Sequence, residues 1–97
     1  MEKIEYDFLA KPYFDEWTFV LLPKELSAEI RENFKVLEEG WGRMRVTAKL
    51  GNSEWQTAIW FDTKQGVYLL PLKAKIRRQE NVLPGEEIRV SVLIDTA

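Results

Sequence analysis

The chain has 97 residues, 45% of them hydrophobic and 31% charged, with a formal net charge of −2. That composition excludes disorder and fits one water-soluble domain, residues 1–97, with its own core. The absence of cysteine and histidine removes disulfides, thiolate nucleophiles, imidazole bases and the commonest metal ligands, so no catalytic residue, metal or cofactor is implied.

Ile4, Tyr6 and Phe8 alternate with Glu5 and Asp7, the period of a half-buried strand that Pro12 ends. Residues 13–16 read as a turn, and residues 17–22 as a strand buried on both faces. Pro23 suits the first position of a helix in which Leu26, Ile30 and Phe34 share an inward stripe. Gly40-Trp41-Gly42 is a loop leading into a hairpin whose turn is Gly51-Asn52, glycine first. That register sets Ala48 opposite Trp55, Val46 opposite Thr57 and Met44 opposite Ile59 on a core face, with Gly42 facing Phe61. The other face pairs Lys49 with Glu54, Thr47 with Gln56, Arg45 with Ala58, and Arg43 with Trp60, guanidinium over indole. Gly66 completes a turn into a buried strand at residues 67–70, and Pro71 opens a second helix with Leu72 and Ile76 inward. Asn81 suits a left-handed helix end, and Pro84-Gly85 a type II turn. A last strand follows, with Ile88, Val90, Val92 and Ile94 on one face.

The order of these signals repeats. Leu21-Leu22-Pro23 and Leu69-Leu70-Pro71 each precede a short helix ending in Ile-Arg and then a strand, giving pseudo-repeats at about 1–50 and 51–97. The expected fold is mainly β: a double-split, internally duplicated barrel of about six strands with two short helices, complete within one chain and therefore monomeric. The stretch from Leu70-Pro71 through Ile76-Arg77 to Pro84-Gly85-Glu86 resembles the motif of AbrB/MazE-type swapped-hairpin regulators. A resemblance covering nearly the whole chain is to the uncharacterised bacterial family called domain of unknown function 1905. Its residues are Phe19-Val20-Leu21-Leu22-Pro23-Lys24-Glu25, Gly40-Trp41-Gly42, Trp55-Gln56-Thr57, Tyr68-Leu69-Leu70-Pro71-Leu72-Lys73-Ala74-Lys75-Ile76-Arg77 and Gly85-Glu86. The resemblance implies the double-split barrel and no assigned activity.

Charge is segregated along the chain: residues 1–40 carry −5, residues 41–78 carry +6 and residues 79–97 carry −3. The basic middle supplies a candidate anion or nucleic-acid face in Arg43, Arg45, Lys49, Lys73, Lys75, Arg77 and Arg78. The competing reading is solvated charge facing an acidic N-terminal half. Trp41 and Trp60 are candidate ligand platforms, whereas Trp17 and Trp55 are expected in the core. The partner itself is not written in the sequence. No apolar stretch approaches the ~20 residues of a membrane span and residues 1–5 lack a signal-peptide core, so a cytoplasmic, non-catalytic binding or interaction module is expected. A nucleic-acid-binding regulator is the alternative.

Overall fold

A computed structural model describes residues 2–96. Seven strands, β1 (Lys3–Ala10), β2 (Tyr13–Phe14), β3 (Thr18–Leu21), β4 (Arg43–Leu50), β5 (Ser53–Asp62), β6 (Val67–Pro71) and β7 (Ile88–Asp95), form one sheet. Its order is β1-β7-β4-β5-β6-β3-β2, with every neighbouring pair antiparallel. Two helices, α1 (Lys24–Phe34) and α2 (Ala74–Gln79), complete it. The fold is mainly β, a curled antiparallel half-barrel.

Alternation along the strands decides which face becomes the core. Met44, Val46, Ala48 and Leu50 of β4 are buried, as are Trp55 and Ile59 of β5 and Ile88, Val90, Val92 and Ile94 of β7. These side chains share one face with Phe8, Val20 and Leu70, and the helices add Ile30, Phe34 and Ile76 to the same cluster. The β4–β5 register matches the sequence pattern at every pair, from Arg43 opposite Trp60 to Leu50 opposite Ser53. Gly51 has φ 58 and Asn52 does not, the combination a glycine-first type II′ turn requires. Asn81 at φ 53 and Gly85 at φ 78 likewise occupy the left-handed conformations expected of them.

The sheet does not close, which corrects the expected barrel of about six strands. Tyr13 and Phe14, read as a turn, pair with Phe19 and Thr18 to make a seventh strand, leaving β1 and β2 as edges. Helix α1 fills the gap near β1, where Tyr6 meets Phe34 edge-on at 6.4 Å and Leu26 packs on the core. A helix satisfies its own backbone hydrogen bonds, so it can cover the opening without strand pairing.

The two prolines also differ from expectation. Pro23, with ψ 148, precedes helix α1 rather than opening it, and its carbonyl accepts the first helical hydrogen bond from Ser27 N–H at 2.8 Å. Pro71 remains in β6 opposite Phe19, and Leu72 N–H extends that pairing to Thr18 O at 2.8 Å. Helix α2 therefore starts only at Ala74. Trp17, expected in the core, is 48% exposed. Strand β3 begins one residue later, and the indole lies tilted on Phe19 with centroids 4.8 Å apart.

Ser27 is a polar residue that the apolar pattern left out. It lies fully buried on the inward stripe of α1, three residues before Ile30. Its hydroxyl donates to Leu22 O and accepts Tyr68 N–H at 3.1 Å, tying the helix to β6.

Candidate functional site

The chain leaves α1 through a short 3-10 turn, Lys35–Leu37, and enters β4 through Gly40–Gly42. Between them Glu39 N–H donates to Arg43 O at 2.6 Å, and the Glu39 carboxylate pairs with the Arg43 guanidinium. This double clasp closes a loop of five residues with Trp41 at its tip. Trp41 has φ 69 and Gly42 φ 71, two left-handed residues in succession. At Gly42 the absence of a side chain is also steric, because a Cβ there would lie 3.2 Å from Phe61 Cβ. Trp41 carries a Cβ, and for such a residue this conformation costs about 1–2 kcal/mol. The strained residue holds its indole 95% exposed.

Two further apolar side chains share the segment, Val36 at 88% and Leu37 at 41% exposure. Sequence reasoning missed both. The helical stripe of Leu26, Ile30 and Phe34 ends with α1, and the two side chains lie in the 3-10 turn beyond it, where that period no longer applies.

Beneath Trp41 is a recess of about 380 Å³ lined by Arg31, Glu38, Gly42, Phe61 and Thr63. Its floor is rigid. The Arg31 guanidinium lies 3.7 Å over the Phe61 ring, and Phe61 meets buried Tyr68 edge-on at 5.1 Å. The Tyr68 hydroxyl donates to Glu38 Oε1 at 2.7 Å. Burial, reinforced by that carboxylate, pushes the Tyr68 phenol well above its ordinary value.

Trp60 does not join this site. Neighbouring strand residues point to opposite faces, so Trp60 lies with Arg43 on the outer side, guanidinium 5.5 Å from the ring as expected. Trp55 is buried, as expected.

The seven basic candidates fall into separate groups. Arg43 and Arg45 share the Glu39 carboxylate, Arg45 at 3.4 Å, and line an outer recess with Lys3, Thr47 and Gln56. Lys49 lies 3.8 Å from both Glu5 and Glu54. Lys73 and Lys75 line a different recess, beside Trp55. Arg77 donates to Leu72 O at 3.4 Å, its guanidinium 5.6 Å from the Phe14 ring, and Arg78 is exposed in the last turn of α2. Among the described residues, no three His, Cys, Asp or Glu side chains are placed to hold a metal ion, and no helix is long and apolar enough to cross a membrane.

The sequence pattern of the family described as Domain of unknown function (DUF1905) matches residues 9–92. The chain belongs to that family. The matched span runs from the end of β1 into β7, so it takes in both the Trp41 loop and the recess beside Trp55. No curated protein matches the chain significantly.

Proposed function

We propose that this DUF1905 chain is a non-catalytic interaction module that presents Trp41 to a protein partner. The observation that carries the reading is the conformation of Trp41, left-handed and 95% exposed at the tip of a clasped loop. A fold discards such strain unless the position is used. Exposed tryptophan anchors dominate protein interfaces, and Val36 and Leu37 extend the apolar surface around this one. Three of the basic residues needed for a polyanion surface already share carboxylates with Glu39, Glu5 or Glu54, which supports a protein partner over nucleic acid.

With this reading go a cytoplasmic, monomeric protein and a double-split duplication. The pairing supports the duplication: β3 lies antiparallel to β6 and β4 to β7, as a twofold relation between the halves requires.

Affinity purification from the source cells with the full chain and with Trp41→Ala tests the proposal. A stoichiometric partner that binds the purified chain and is lost with the indole is expected. Retention of every partner by Trp41→Ala, or salt-sensitive binding to duplex DNA at ~50 mM salt in its place, would overturn it.

A further inference from the structure

Away from the Trp41 loop, the β4–β5 turn and helix α2 enclose a recess of about 360 Å³. Glu80 holds the two elements together: its carboxylate accepts Ser53 Oγ at 2.6 Å and Asn52 N–H at 3.4 Å. Trp55 forms part of the recess wall, with Lys73, Lys75 and Gln79 around it.

Of the lining, Trp55, Lys73 and Lys75 can only donate, against one carboxylate, Glu54. The indole nitrogen of Trp55 is buried and has no hydrogen-bond partner among the described residues. An indole N–H can only donate, and a buried donor without an acceptor is a defect that folded proteins rarely keep. Lys73 and Lys75 are exposed and form no ion pair among the described residues. Ser53 Oγ gives its single proton to Glu80, so the Gln79 side-chain amide 3.2 Å away turns one N–H toward Ser53 and keeps the second for a ligand. The one carboxylate in the lining, Glu54, is drawn to Lys49 at 3.8 Å.

We propose that this recess is a binding site for a small oxyanion, a phosphate or carboxylate group, held by Lys73, Lys75, the Gln79 amide and the Trp55 indole N–H. The ligand supplies the acceptor that Trp55 lacks and the negative charge that the two lysines lack. Charge-assisted hydrogen bonds from ammonium groups to an oxyanion are the stronger kind. The lysines and Gln79 are exposed, so they can reorient to admit the anion to the buried indole. The site is independent of the Trp41 loop and stands whether or not that loop docks a protein.

The indole N–H resonances of the isotope-labelled full chain provide the test. Trp55 is assigned by its loss in Trp55→Phe or, should that variant not fold, by its proximity to the Ile76 methyl protons. Inorganic phosphate and acetate are titrated separately at fixed ionic strength, with chloride as balancing salt. A saturable shift of the Trp55 resonance is expected, with affinity reduced at least tenfold in Lys73→Met/Lys75→Met. Saturation by phosphate alone, acetate alone or both identifies the group recognised. No saturable shift with either anion beyond that of chloride, or an unchanged shift in the double variant, would overturn the site.

Discussion

Trp41 and Trp55 show how position decides what one residue type does. Trp55 is buried across from Ala48, where a large ring fills the space left by a small one. Its replacement by alanine should cost about 3–5 kcal/mol in chemical denaturation, the range for buried aromatics, and a loss below about 1 kcal/mol would place the ring outside the core. Trp41 predicts the opposite. Because its backbone is left-handed, Trp41→Gly should leave stability intact or raise it by up to about 1 kcal/mol, while abolishing partner binding. Tyr68 adds a pH signature. Its phenol titrates above the ordinary 10.0 in the folded chain, mainly through burial. The unfolded chain therefore loses this proton first, and stability should fall as pH rises above 10. Tyr68→Phe should flatten that limb, leaving the weaker contribution of Tyr6, which burial also raises. An unchanged alkaline limb would contradict the assignment.

The elements legible in the sequence were those whose local signals agree. The β4–β5 hairpin combined strict alternation with a glycine-first turn, and its register followed residue by residue. Helix α1 was legible from Leu26, Ile30 and Phe34, but its start was not, since a proline's fixed φ suits both the helix and the residue before it. Pro71 was read as a helix start because sequence does not show that β3 lies alongside; pairing with Phe19 keeps it in the strand. Strand β2 was invisible for the same reason, being two residues long and defined only by its partner. Of the candidate site, Trp41 between its glycines was readable, whereas Val36, Leu37 and the orphan Trp55 N–H needed the fold. The Glu80 clamp is also a tertiary feature, and it yields a test. A Cβ on Gly51 would fall 1.9 Å from Glu80 Oε1, at φ 58. Gly51→Ala should lose about 1–2 kcal/mol from backbone strain alone. The Glu80 carboxylate, the far end of a flexible side chain, must also swing aside and give up its bonds to Ser53 and Asn52, and only that component should disappear in Gly51→Ala/Glu80→Ala; a fully additive double-mutant cycle would contradict contact between them.

At the scale of the molecule, an open sheet has two edges that could recruit other chains. Strand β1 carries Lys3, Glu5 and Asp7 along its edge, and β2 is only two residues long; both are features that discourage edge-to-edge pairing. The radius of gyration, 12.7 Å, is near the ~13 Å of a compact 100-residue domain, so the missing closure leaves no loose half. Sedimentation at low micromolar concentration should give a monomer, and an obligate dimer with exchanged hairpins would contradict the single-chain core. The proposed role rests on the Trp41 loop, and a photo-crosslinking amino acid at exposed Val36 beside it, which leaves the indole in place, interrogates it most directly in the source cells. The account predicts one discrete protein adduct that is lost on Trp41→Ala and absent when the probe stands at exposed Asn52, in the turn at the far end of the β4–β5 hairpin. No adduct at position 36, the same adducts from both positions, or crosslinks to nucleic acid alone would contradict it.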